Sequence, residues 1–153
     1  METISDTIEF VKHQVNVTYK VISINTEGIT NEESIIFSNE DANCMNWVLG
    51  HLIYVRNGLL NILGEEAVWD GEIFSVYNRG ATPLERKNEL VDFEELKSYL
   101  KQTQDKLEAK LNTIESFNHE TINDIATLCF HENYHCGQLG YIRRLLGKPG
   151  GIK

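Results

Sequence analysis

Proline and cysteine are scarce in this sequence, with 2 and 3 residues among 153. So little proline, in a chain without a low-complexity tract, excludes a disordered or linker-rich architecture. The cysteines (Cys44, Cys129 and Cys136) are odd in number and form no C-x-x-C pair. No disulfide framework is expected from them, and reduced thiols in the cytoplasm are the simplest reading. Long apolar runs are missing as well: none approaches the roughly 18 residues a membrane span needs. The opening Met1-Glu2-Thr3-Ile4-Ser5-Asp6 lacks the basic start and apolar core of a signal peptide. Positive charge is in short supply, with 14 Lys and Arg against 23 Asp and Glu and a net charge of −9. Nucleic acid is therefore not an expected partner, because no basic stripe faces the phosphates before residue 143. Arg143, Arg144 and Lys148 fit instead as cations at a helix C-terminus.

What is present fits one domain over residues 1–153, since the length supports one sizeable core. Apolar residues make up 41% and charged residues 24%, the balance of a globular protein, and no internal repeat occurs at solenoid periods. Ile4, Ile8, Val11, Val15, Tyr19 and Ile22 recur at three-and-four spacing and predict a helix over 4–24, capped by Thr3 or Ser5. Its β-branched residues favour strands, but the period selects helix. Residues 25–42 read as a polar loop. A second helix follows from about Asn43, capped by Asp41 or Asn43, with the stripe Val48, Leu52, Val55, Leu59, Ile62 and a terminating Gly64.

The connection 64–91 is long and carries Trp69, Phe74, Tyr77, Gly80 and Pro83. It reads either as a crossover covering the core or as a substrate lid. Asp92-Phe93-Glu94-Glu95 has the shape of a capping box, and Phe93, Leu96, Leu100, Thr103, Leu107, Leu111 and Ile114 follow a seven-residue repeat. After a polar turn at 116–121, a last helix with Thr121 and Asp124 as caps runs to about Leu146, ended by Gly147 and Pro149. Its expected inner face is Leu128, His131, His135, Gln138, Ile142 and Leu145. Four long helices without a strand predict an all-α four-helix bundle with long crossover loops, in which simple up-down-up-down order is not assumed.

Chemistry concentrates in Phe130-His131-Glu132-Asn133-Tyr134-His135. Two histidines four apart on a helix project from one face, and the string is also H-E-x-x-H, a spacing of zinc peptidases. Those enzymes complete the site downstream. Here Tyr141 stands where the third histidine belongs, and no Asp, Glu or His follows Cys136. The peptidase class is therefore rejected, and a third ligand must come from upstream. His13 lies off its helix stripe and His119 in a polar turn, whereas His51 lies on a core-facing helix. Three imidazoles converging between helices suit Zn, Ni, Fe(II) or Mn.

Asn46-Trp47-Val48-Leu49-Gly50-His51-Leu52, Arg56-Asn57, Tyr77-Asn78-Arg79-Gly80, and His131 through Gly140 with Arg143-Arg144 resemble the DinB/YfiT-like superfamily over nearly the whole chain. The resemblance implies a four-helix bundle of unusual connectivity, often a homodimer, with a divalent metal on His51, His131 and His135. It also implies a thiol-dependent transferase or isomerase using bacillithiol, mycothiol or glutathione. The expected reaction joins a small-molecule electrophile to a low-molecular-weight thiol. Metal-dependent hydrolysis and a non-catalytic, stress-associated metal-binding bundle are the alternatives. Glu132 is a candidate general base or metal-site support, or else a solvated flank residue. Gln138, one turn from His135, is placed to orient a ligand or bond a metal-bound water, and Arg79 to meet a substrate carboxylate. Cys136 points away from the histidines and, with Cys129, is expected to pack as a small apolar residue.

Overall fold

A computed structural model describes residues 4–152, and all of its regular structure is helical. Five α-helices run α1 (Ile4–Thr26), α2 (Asn31–Ser34), α3 (Met45–Ile62), α4 (Phe93–Leu111) and α5 (His119–Leu145). Short 3-10 turns occur at Ser75–Tyr77 and Lys87–Glu89. Among the described residues there is no strand, and no helix is long and apolar enough to cross a membrane. Four of the helices are long; α3 packs against α4 and α5, and α1 packs against the same two.

Helix α1 buries Ile8, Val11, Val15 and Ile22, so the 3.6-residue period does override β-branching. Its expected caps, Thr3 and the Ser5 side chain, lie outside the described residues. The loop expected over 25–42 is corrected in part, because α1 continues to Thr26 and a second helix forms at Asn31–Ser34. Thr30 and Glu33 make a reciprocal capping box there, a local signal strong enough to nucleate one turn.

Helix α3 starts at Met45, two residues later than expected, with Cys44 rather than Asp41 or Asn43 in the cap position and no side-chain cap bond. Tertiary burial decides this start, since Cys44 is fully enclosed while Asp41 is held in an Asx turn by Asn39 Oδ1 at 2.9 Å. At the other end Gly64 (φ 79°) closes a Schellman motif, with Gly64 N bonded to Asn61 O and Glu65 N to Leu60 O. The helix is buried on nearly every side, beyond the single stripe its periodicity predicts, because the 63–92 crossover packs onto it.

That crossover is core rather than a free lid. Tyr77 lies so close to Gly50 that a Cβ there would meet its ring at 2.2 Å, which explains a glycine inside this helix. Tyr77 Oη donates to Asn46 Oδ1 at 2.9 Å and accepts from Val91 N at 2.8 Å, while Trp47 Nε1 donates to Val76 O at 2.8 Å. Trp69 stacks on Phe74 and Tyr77.

Asp92 caps α4, its Oδ1 accepting from Glu94 N and Glu95 N. The helix ends at Leu111, so Ile114 of the expected repeat falls beyond it. Helix α5 begins earlier than expected: Asn118 is the cap, accepting from Thr121 N at 2.8 Å, and Thr121 and Asp124 lie inside the helix. Its buried face is Ile125, Cys129, Glu132, His135, Cys136 and Leu139, rotated from the expected one so that Leu145 is exposed. The core stripe takes Cys129 and Cys136, leaving His131 at its edge.

Two apolar clusters fill the interior. One holds Ile22 of α1, Trp47 to Ile53 of α3, Phe93 to Leu100 of α4 and Cys136 with Leu139 of α5. The other holds Val11 and Val15, Leu59 to Leu63, Leu107 with Leu111, and Ile125 with Cys129. The order in which each helix visits the clusters makes α1 parallel to α5, and α3 parallel to α4 with the opposite sense. The crossover is long because it must return the chain to the starting end of a parallel neighbour.

Between the clusters lies one polar layer. Arg56 of α3 is 1% exposed and pairs through Nε with Glu132 of α5, itself 3% exposed. Arg56 also donates to Gln104 Oε1 of α4 at 2.7 Å, and to Val15 O at 3.0 Å and Thr18 Oγ1 at 3.1 Å on α1. Thr18 Oγ1 donates to Glu132 Oε2 at 2.6 Å. Removing one partner of such a buried pair costs about 3–5 kcal/mol. Urea unfolding of Arg56→Met is expected to show that loss, and the double variant Arg56→Met/Glu132→Leu a smaller one, because no charge is then left uncompensated.

Candidate metal centre

The three histidines expected to meet do so. Ligand-capable nitrogens of His51, His131 and His135 all lie within 4.8 Å of one another. His131 Nε2 sits 3.0 Å from both His51 Nε2 and His135 Nε2. His13 and His119 are exposed and take no part; His119 is the first residue of α5, with Asn123 as its neighbour.

Each ring is held by its surroundings. His51 is 2% exposed and lies parallel to Trp47, with ring centroids 4.7 Å apart and planes 9° apart. Tyr54 covers its other side at 5.6 Å. These three residues lie one turn apart on α3, so the sandwich follows from helical spacing. His51 Nδ1 bonds Tyr77 O at 2.7 Å. A carbonyl oxygen only accepts, so Nδ1 carries the proton and Nε2 the lone pair. His135 Nδ1 likewise donates to Gln138 Oε1 at 2.7 Å, leaving its Nε2 unprotonated. Two fixed lone pairs thus face His131 Nε2, and one proton there could serve only one of them. A cation would satisfy all three nitrogens, and a 3.0 Å separation is within reach of two ligands each about 2.0–2.1 Å from one ion. The residues therefore fit a metal ion.

Electrostatics agree with neutral imidazoles. Burial pushes the His51 pKa down to about 4, with the neighbouring histidines and Arg79 adding to the effect against the Tyr77 carbonyl. Burial also lowers His135, against its bond to Gln138, and lowers His131 together with Arg79. Neutral rings need lose no proton to become ligands.

Glu132, expected as a base, a support or a solvated residue, is buried. Both its oxygens accept hydrogen bonds within the polar layer, from Arg56 and Thr18. The solvated reading is overturned because the carboxylate is the anionic partner of Arg56. Cys129 and Cys136 pack as expected, and burial raises their thiols to about 11 and about 12, well protonated at neutral pH.

A cavity of about 460 Å³ opens beside the centre, with His51 and His131 on its wall. Helices α3 and α5 contribute Val55, Asn57, Gly58 and Leu128, and the crossover contributes Trp69 and Arg79. The crossover thus covers core and walls the cavity at once. Gly58 and Tyr54 were not singled out from the sequence, and Asn57 was noted only beside Arg56 in the family resemblance, with no role at the site. The Tyr77 carbonyl left no signal, because backbone contacts carry no side-chain signature.

Two outcomes follow. Loss of an outer partner of a ligating histidine lowers metal affinity by about 10–100-fold, so Gln138→Leu is expected to show that loss in zinc titrations with the fold retained. Since His51 titrates lower in the folded than in the unfolded chain, where its value is near 6.5, acid favours unfolding. Metal-free protein should hold full stability above pH 6.5 and lose about 3 kcal/mol through His51 as pH falls toward 4, measured by urea midpoints. No family model matches this sequence, and no curated protein does either.

Proposed function

We propose that this chain is a DinB/YfiT-like four-helix bundle that holds a divalent metal on His51, His131 and His135 and acts as a thiol-dependent S-transferase. The observation that carries the metal reading is the pair of fixed tautomers at His51 and His135, whose free nitrogens converge on His131 beside a cavity. The opposed helix pairs, α1 with α5 and α3 with α4, support the unusual connectivity of that family. Three imidazoles accept Zn, Ni, Fe(II) or Mn. A bound ion of this kind supplies Lewis acidity that makes a thiol or water a nucleophile at neutral pH.

The chain's own residues do the rest. Tyr77 O and Gln138 Oε1 hold the His51 and His135 rings in the tautomer that binds, and Trp47 also fixes the plane of His51. The apolar cavity wall excludes water around a bound electrophile, and Arg79 draws a negatively charged substrate group. Glu132 acts through Arg56 as a positioning residue that sets how α5 presents His131 and His135. Exposed Phe130, Tyr134 and Tyr141 on α5 support a homodimer.

Elemental analysis is expected to find about one metal per chain in the wild type and strong loss in His51→Ala and His135→Ala. Unchanged metal in both variants sinks the site. The loaded protein, given bacillithiol, mycothiol or glutathione with a chlorinated or epoxide electrophile, should form the thioether. Electrophile loss at the same rate without thiol would make it a hydrolase, and no turnover would leave a metal-binding bundle.

A further inference from the structure

Of the three cations at the end of α5, two are committed to the fold. Arg143 donates to Asn25 O at 3.2 Å, to Glu27 O at 2.6 Å and to Pro149 O at 2.8 Å, and Lys148 pairs with Glu33 at 2.8 Å. These bonds lay the segment 147–152 against the end of α1. Gly150 and Gly151 permit that approach, since a Cβ would meet Arg144 Nη2 at 2.9 Å or Ile24 Cγ2 at 2.4 Å. The Arg144 side chain itself has no hydrogen-bond or ion-pair partner among the described residues. A cavity of about 340 Å³ lies between this segment, α1 and α5, walled by Arg144 and Asn25, by apolar Val21 and Cys136, and by glycines of the segment and of α5. It shares no wall residue with the cavity beside the histidines.

Asn25 is 2% exposed, and its Nδ2 donates to Val21 O at 3.0 Å, so Oδ1 is the atom left to accept. Among the described residues no donor reaches Oδ1. Nor is it sealed: among those residues Asn57 Nδ2 is the one unpaired side-chain polar atom that the fold closes off, so Asn25 Oδ1 keeps surface open to the cavity. It stands 3.6 Å from where a Gly140 Cβ would lie and 3.4 Å from that of Gly151. A nearly buried acceptor of this kind calls for a donor from a ligand.

The two glycines of α5 point the same way. A Cβ on Gly137 would meet nothing within 4 Å, and one on Gly140 would meet only the Asn25 amide, at 3.6 to 3.9 Å. Packing demands glycine at neither position, and helix propensity disfavours both. Their effect is to hold the cavity open and leave Oδ1 uncovered. At the other pole, the Arg144 guanidinium is a planar fork that suits a carboxylate. Arg143 already offsets the helix dipole at Asn25, so a neutral donor suits Oδ1 as well as an ammonium does.

We propose that this cavity is a second small-molecule site, which binds a small apolar acid carrying an N–H or O–H donor beside its carboxylate, an amino acid or a hydroxy acid. The donor meets Asn25 Oδ1 and the carboxylate meets Arg144, with the apolar body against Val21 and Cys136. Neither the metal nor the transferase reading enters this assignment.

The probes are L-leucine, 2-hydroxy-4-methylpentanoate, the donorless 4-methylpentanoate and the carboxylate-free 3-methylbutylamine, titrated into the full chain with and without zinc. At least one of the first two should give saturable NMR shifts at Gly140, Gly151 and the Asn25 side-chain NH2, and the tighter of them names the donor. It should bind about tenfold tighter than either half-ligand, the worth of one charge-assisted hydrogen bond. Arg144→Ala should weaken it by a similar factor, and Gly137→Leu and Gly140→Leu should abolish binding while zinc content is unchanged. If Gly140→Leu does not fold, Gly137→Leu and the wild-type shifts decide. Equal affinity for 4-methylpentanoate, wild-type affinity in Arg144→Ala, a requirement for zinc, or no saturable shift at Gly140 and Gly151 overturns the proposal.

Discussion

Everything in this molecule is referred to the buried ion pair of Arg56 and Glu132. It stands between two apolar clusters, at the level where each of the four long helices passes from one cluster to the other. Arg56 reaches α5 through Glu132, α4 through Gln104 and α1 through Val15 O and Thr18. A charge in a dry interior tolerates little displacement, since slipping any helix by one residue would strand it without partners. Apolar contacts alone allow such slippage at modest cost. The polar layer therefore sets register, and register aims His131 and His135 at His51.

A second dependence runs through Tyr77. Its ring rests on Gly50, its hydroxyl ties Asn46 to Val91, and its carbonyl holds the tautomer of His51. One crossover residue thus joins core packing to the electronic state of a candidate ligand. The centre is preorganised by packing, so little reorganisation accompanies ligand binding.

The H-E-x-x-H string shows how far a motif depends on its neighbours. Two histidines at this spacing face one way on any helix, whatever the fold. The chemistry then turns on where the intervening glutamate points. In this chain Glu132 is enclosed with Arg56 and Thr18, so the peptidase arrangement, with that carboxylate as general base, is not assembled. The same five residues supply two of the three clustered histidines and one partner of a structural ion pair.

Local chemistry determined much of this protein by sequence alone. Periodicity in Ile8 to Ile22 and in Phe93 to Leu111 is a short-range property, and it located the helices. Gly64, Gly147 and Asp92 marked ends, because caps act within one turn. His131 and His135 were legible as a pair for the same reason, and His51 as an upstream histidine on the apolar side of its helix, whereas His13 lies off its stripe. The tertiary structure decided which face of α5 is buried, what Glu132 does, and where a cavity lies. Those outcomes depend on contacts 76 residues apart for Arg56 and Glu132 and 26 for His51 and Tyr77. No window of one helix turn records a partner that distant, so only packing of whole helices could place them.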